Sequence, residues 1–224
     1  VIEIGAGLGT ITAALAVEAD RVVAYENDPD LLPALEAETA DLDNVEVREE
    51  DVLRADLPGF DVAVGNIPFH LSTDIVEMLG THSNPVVLLV QAEFADRLVA
   101  GPGEDAYSRV TVETGYHFLP SRIREVPQRA FYPEADVSGA VVELFPRNED
   151  WPVDERFFDD VVRALFVHRM KKARNAFVDS RHMLDIERDV AKTMRDDLPH
   201  AQARVRDLSI RDLMDIAAFL HDRR

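Results

Sequence analysis

The sequence predicts an α/β fold, a doubly wound parallel sheet with a small C-terminal all-helical domain behind it. Two observations carry most of this. Strand-like and helix-like stretches alternate through residues 1–145, and a polar, proline-bounded segment at 146–152 then gives way to a purely helical pattern. A third is the glycine-rich turn between the first strand and the first helix, which such sheets place at their carboxyl edge.

Taken in order, residues 1–4 form an apolar strand, 10–18 a helix, 21–25 a second strand, 30–40 a helix and 45–48 a third strand. Residues 60–64 make the fourth strand, 73–79 a helix and 86–91 the fifth strand, with 92–100 leading to Gly101-Pro102-Gly103. The extended-looking stretches at 109–117 and 140–145 are expected as antiparallel additions at one sheet edge. From Asp154 the pattern turns helical, and Val162, Phe166, Met170, Ala173 and Phe177 fall on one face. The expected domains are residues 1–146 and 152–224.

With 46% hydrophobic residues the 224-residue chain can bury a core, and no apolar run approaches the roughly 20 residues of a membrane span. The lack of cysteine closes disulfide, zinc-thiolate and thiol-nucleophile chemistry. A cytoplasmic, monomeric protein without a metal is expected, and because the chain opens with Val1 inside a strand-like run, so is a longer natural N-terminus. The formal net charge of −19 would ordinarily argue against a nucleic-acid partner. Yet residues 1–150 hold 9 Lys+Arg against 29 Asp+Glu, whereas residues 151–224 hold 15 against 14. Lysine occurs only at Lys171, Lys172 and Lys192. So acidic and lysine-poor a surface fits adaptation to molar salt, where the Debye length is roughly 3 Å and a distant acidic face barely repels a polyanion.

The turn reads Glu3-Ile4-Gly5-Ala6-Gly7-Leu8-Gly9-Thr10. Its glycines let the chain turn tightly and bring backbone close to a ligand, a device shared by nicotinamide, flavin and S-adenosylmethionine enzymes. Glu26, ending the second strand, can accept from both hydroxyls of a ribose, and Asp51, ending the third, from an adenine amine. Acids spaced in this way at successive strand ends suit a nucleoside cofactor that carries a cationic sulfonium. For Glu26 or Asp51 alone, a solvated strand-end charge is the competing reading.

After the fourth strand stands Gly65-Asn66-Ile67-Pro68-Phe69-His70-Leu71-Ser72-Thr73. The pattern Asn-x-Pro-aromatic resembles the signature of amino-methylating enzymes. With Arg97-Leu98-Val99-Ala100-Gly101-Pro102-Gly103, Ala106-Tyr107-Ser108-Arg109, Val126-Pro127, Phe131-x-Pro133-x-x-x-Val137 and Phe166-Val167-His168-Arg169-x-Lys171-Lys172-x-Arg174-Asn175, the chain resembles the KsgA-type rRNA adenine N6,N6-dimethyltransferases over essentially its whole length. An archaeal, salt-adapted member lacking its N-terminal Phe-Gly-Gln-like segment is what this resemblance implies. The family's usual Tyr in the tetrad is here Phe69, which keeps the ring face and loses a hydroxyl.

The resemblance implies a Rossmann-like class I methyltransferase sheet, S-adenosylmethionine as cofactor, and adenines of small-subunit (16S) ribosomal RNA as substrate during ribosome biogenesis. Cofactor contacts fall on Glu3, Gly5, Gly7, Glu26, Asp51 and Asn66. The catalytic set is Asn66, Ile67, Pro68, Phe69 and Phe131. The carbonyls of Asn66 and Ile67 would accept hydrogen bonds from the adenine amine, Pro68 would fix the turn, and Phe69 and Phe131 would stack on the two faces of an extruded base. Arg163, Arg169, Lys171, Lys172, Arg174 and Arg181 form a cationic cluster on the helical pattern and are expected to contact RNA phosphates. The competing functions are a 23S rRNA adenine methyltransferase of the macrolide-resistance type and a non-catalytic ribosome-assembly factor.

Overall fold

The computed structural model describes residues 1–223, and Arg224, the last residue of the expected helical domain, lies outside them. Two compact units result, one of residues 1–95 and 118–146, the other of residues 96–117 and Arg147 onward. No helix among the described residues is long and apolar enough to cross a membrane.

In the first unit β1 (Ile2–Ile4), β2 (Val22–Glu26), β3 (Val45–Glu49), β4 (Ala63–Asn66) and β5 (Val86–Gln91) run parallel, and β6 (Phe118–Val126) and β7 (Gly139–Pro146) are antiparallel. The strand order is β3-β2-β1-β4-β5-β7-β6. Helices α1 (Thr10–Glu18), α2 (Leu32–Thr39) and α3 (Ser72–Gly80) supply the β1–β2, β2–β3 and β4–β5 crossovers that parallel strands need, the β3–β4 crossover runs without a helix, and α4 (Ala92–Val99) follows β5. Every residue of β1 and β2 is buried, as expected of central strands covered on both faces. The order reverses between β1 and β4, which opens a crevice at the carboxyl ends of those strands. Gly65 lets β4 approach β1 there, because a Cβ on it would lie 2.8 Å from the Ile4 carbonyl oxygen.

The helical unit contains α5 (Arg109–His117), α6 (Glu155–Phe166), α7 (Ala173–Ser180), α8 (Arg188–Met194) and α9 (Ile210–His221). Phe158, Val162, Phe177, Leu213 and Leu220 are buried in its core. The Asp154 carboxylate accepts from the Phe157 N–H at 3.1 Å to start α6, and Ser209 and Asp212 form a capping box on α9.

Three expectations need correction. Residues 109–117 form α5 rather than an edge strand. Its β-branched alternation imitates a strand, but Val112 is buried in the helical core and Arg109 pairs with Glu113 one turn on at 3.1 Å, so packing overrides propensity. The antiparallel neighbour of β7 is β6, and residues 96–117 belong to the helical unit, beyond the boundary expected at residue 146. The apolar face at 162–177 is not one helix either: α6 stops at Phe166 and α7 starts at Ala173, with Met170 half exposed between them. Backbone pairing breaks the helix, since Val205 N–H donates to Lys171 O and Arg206 N–H to Arg169 O, each at 3.0 Å. The 146–152 segment is pinned as well as polar, for the Trp151 indole N–H donates to Tyr116 O at 3.1 Å.

Candidate active site

The crevice at the switch point is a cavity of about 480 Å³, a size common among small-molecule sites. Gly5, Gly7, Glu26, Asp51, Asn66, Ile67, Pro68, Phe69 and Phe131 all line it. The β1–α1 turn holds Gly5 at φ 71° and Gly7 at φ 59°, left-handed values that a side chain would strain. A methyl on Gly5 would meet the Asn66 carbonyl oxygen at 3.2 Å, whereas one on Gly7 would meet nothing within 4 Å. Gly5 therefore keeps the β1 turn close to the tetrad, and Gly7 leaves backbone open to the cavity.

Glu26 is buried at the end of β2 and braces this turn. Its Oε2 accepts from the Gly7 N–H at 2.8 Å, and its Oε1 from the N–H groups of Asn27 and Asp28, both at 2.9 Å. A carboxylate offers about four acceptor positions, so roughly one stays free rather than the two needed to serve both ribose hydroxyls. Asp51 is more open. Its Oδ1 accepts from the Leu53 N–H at 3.1 Å, and its Oδ2 lies 3.5 Å from Arg54 Nε.

Glu3 departs from expectation. It does not line the cavity but is buried in β1 beneath it, with Oε2 lacking a hydrogen-bond partner among the described residues. Burial pushes its carboxyl up to about 7, against the pull of the Thr12 hydroxyl and with a contribution from the Glu26 charge.

In the tetrad, Asn66 is exposed with its side-chain amide unbonded among the described residues, and Ile67 is buried. Pro68 precedes a single 3-10 turn, Phe69–Leu71, which the Ser72 hydroxyl secures by donating to Phe69 O at 3.0 Å. Phe131 reaches the cavity from the β6–β7 loop. Its ring meets Phe69 edge to face, with centroids 6.3 Å apart and planes at 79°. That geometry leaves no slot between the rings, so a base held by both faces requires one ring to turn parallel and move apart. Sequence reading missed the apolar walls at Leu31 and Val52. A leucine and a valine beside strand-end acids carry no signal that separates lining from core.

The six cations of the helical unit do not lie on one helix. Arg163 is on α6, Arg174 on α7, Arg181 in the turn after it, and Arg169, Lys171 and Lys172 in the α6–α7 connection. Arg163 pairs with Asp160, Lys171 with Asp179 at 2.8 Å and Arg174 with Asp196 at 3.3 Å. Arg169 donates to the carbonyl oxygens of Tyr107 at 2.8 Å and Asp105 at 3.2 Å, Lys172 to Gln202 Oε1 at 3.0 Å, and Arg181 to Val178 O at 3.0 Å.

The profile of the ribosomal RNA adenine dimethylase family matches residues 1–222. A probable ribosomal RNA small subunit methyltransferase A from Methanosarcina acetivorans is 38% identical over 226 residues, covering 99% of this chain and 83% of the relative. One from Halobacterium salinarum is 39% identical over 191 residues, covering 84% of this chain and 68% of the relative. Among solved structures, a dimethyladenosine transferase from Plasmodium falciparum has a TM-score of 0.86 at 25% identity, covering 96% of this chain and 87% of its own. The 23S rRNA methyltransferase ErmE, at 24% identity and a TM-score of 0.71, shares the fold and covers 98% of this chain and 90% of its own. With a class I methyltransferase sheet, a glycine turn and an Asn-Ile-Pro-Phe tetrad around one cavity, the chain belongs to the ribosomal RNA adenine dimethylase family.

Proposed function

We propose that this protein uses S-adenosylmethionine to dimethylate N6 of adenines in small-subunit ribosomal RNA. The observation that carries the reading is the convergence of the glycine turn, Glu26, Asp51 and Asn66–Phe69 on one cavity, in a chain of this family. The residues fit the cofactor: Gly7 leaves open space, Asp51 keeps free acceptor positions, and Glu26 retains room for one ribose hydroxyl. When bound, the cofactor supplies an electrophilic methyl on a sulfonium.

The chain's own part is to position and polarise. An adenine amine conjugated with its ring is a poor nucleophile. Hydrogen bonds from it to the Asn66 side-chain oxygen and the Ile67 carbonyl favour the geometry in which its lone pair points at the methyl. The ring face of Phe69 would stabilise the positive charge that methylation places on N6, an arrangement worth about 0.5–2 kcal/mol by cation–π attraction. The spare proton leaves to water, and no side chain need act as base.

The helical cations supply the phosphate contacts in this reading. The Arg163, Lys171 and Arg174 pairs are partly exposed, and such pairs are worth about 0–1 kcal/mol, so phosphate can replace a carboxylate there at small cost. Incubation with isolated ribosomal subunits and methyl-labelled S-adenosylmethionine tests the function. Label is expected in small-subunit RNA as N6,N6-dimethyladenosine. Label confined to large-subunit RNA would support the 23S reading instead, and none in either would support a non-catalytic assembly factor.

A further inference from the structure

The loop that delivers Phe131 to the cavity carries a second aromatic that the reaction does not use. Tyr132 is 100% exposed and has no hydrogen bond or ring contact among the described residues. An exposed aromatic is unremarkable alone. Here the backbone beneath it is braced: Gln128 O accepts from the N–H groups of Phe131 at 3.1 Å and Ala135 at 3.4 Å, and the Gln128 side-chain amide donates to Asp136 O at 2.5 Å. The ring is thus presented to solvent by a loop whose limbs are tied together, next to the residue that lines the cavity.

Charge points the same way. In the α/β unit Arg21, Arg48, Arg54 and Arg122 all sit in ion pairs. Arg124 and Arg129 are the only arginines of that unit without a partner among the described residues, and both are exposed. Arg124 lies on β6 and Arg129 in the short turn two residues before Phe131, so the unengaged cations of a strongly acidic unit fall on the one hairpin that reaches the cavity. Glu134 and Asp136, exposed on the far limb, keep this loop from being a general trap for polyanions. An aromatic platform with one or two local cations, in an acidic setting, matches single-stranded nucleic acid held by base stacking with limited phosphate contact.

We propose that the residue 127–138 loop is an RNA-contacting element, in which Tyr132 stacks on the base beside the target adenine and Arg129, with Arg124, meets the adjoining phosphates. This rests on the RNA-methylating reading above. The test compares wild type, Tyr132→Ala, Tyr132→Phe and Arg129→Gln on small-subunit particles. A parallel series uses short RNAs with and without an abasic site next to the target. Tyr132→Ala should lower kcat/KM about 5- to 150-fold, the range for one base–aromatic stack. Tyr132→Phe should recover most of that loss, S-adenosylmethionine affinity should not move, and the abasic RNA should erase the difference between Tyr132→Ala and wild type. Arg129→Gln should reduce the slope of log affinity against log salt by about 0.7. Equal kcat/KM for Tyr132→Ala and wild type overturns the proposal while leaving the methyltransferase reading intact. Should wild type transfer no methyl, that reading fails by itself. RNA affinity by fluorescence anisotropy then decides the loop: loss in Tyr132→Ala sustains it as an RNA contact, and equal binding overturns it.

Discussion

The cavity of the α/β unit and the cationic stretch of the helical unit differ in what their polar groups are doing. At the cavity, the Asn66 amide is unbonded among the described residues, Asp51 has acceptor positions to spare and Gly7 leaves space above the backbone. Along residues 163–181, where basic side chains are densest in sequence, Arg163, Lys171 and Arg174 are paired with aspartates, and Arg169 holds two backbone carbonyls. Abundance of charge and availability of charge are therefore separate properties. The first is visible in composition, the second only after folding.

The largest effect that sharpens this contrast is on turnover. Asn66→Ala removes the acceptor proposed for the reacting amine and should lower the single-turnover rate about 100- to 1000-fold, the scale for one lost transition-state hydrogen bond. Near-normal single-turnover kinetics would mean that the free amide has no part in the chemistry.

Next comes the stability of the buried acid beneath the cavity. Burial raises Glu3 from its ordinary 4.5 to about 7, so the folded state prefers it protonated. A raised carboxyl stabilises fully below about pH 4.5, and its contribution is lost as pH rises to about 7, costing about 3 kcal/mol above that. Glu3→Gln should accordingly raise the free energy of unfolding by up to that amount at pH 8, with the gain shrinking toward pH 4.5. Denaturant titrations at the two pH values check this, and a pH-independent difference would show that the charge is not what matters.

Cofactor affinity should respond by less. Asp51→Ala and Glu26→Ala should each weaken S-adenosylmethionine binding by about 1–3 kcal/mol in calorimetry. Glu26→Ala should also loosen the turn, because it frees the N–H groups of Gly7, Asn27 and Asp28. The smallest change belongs to the helical unit. Replacing Arg169, Lys172 and Arg174 together with Gln should reduce the salt slope of RNA binding by about 1.4, two phosphate contacts on a single strand rather than three. Arg169→Gln alone should leave the slope unchanged and lower the melting temperature, since that side chain is engaged with Tyr107 and Asp105.

What was legible in the sequence was local. The alternation of 2- and 3.6-residue periods, the Gly5–Gly9 turn and the tetrad at Asn66 each declare themselves within ten residues, and the structure puts Gly5, Gly7, Glu26, Asp51, Asn66 and Phe131 on one cavity. What was not legible depends on distant partners. The helix break after Phe166 exists because residues 169 and 171 pair with 206 and 205, and Arg174 is engaged by Asp196. Residues 109–117 carry strand-like side chains and are helical because Val112 packs in the helical core. No window around those residues contains that information.

Hydrogen exchange with and without S-adenosylmethionine tests the central claim most directly, that the open groups of the α/β cavity are the methyl-donor site. Binding should slow exchange at residues 5–9, 27–28, 51–54 and 66–69 and leave residues 163–181 unchanged. Unaltered exchange across those four segments at saturating cofactor, or protection confined to residues 163–181, would contradict it.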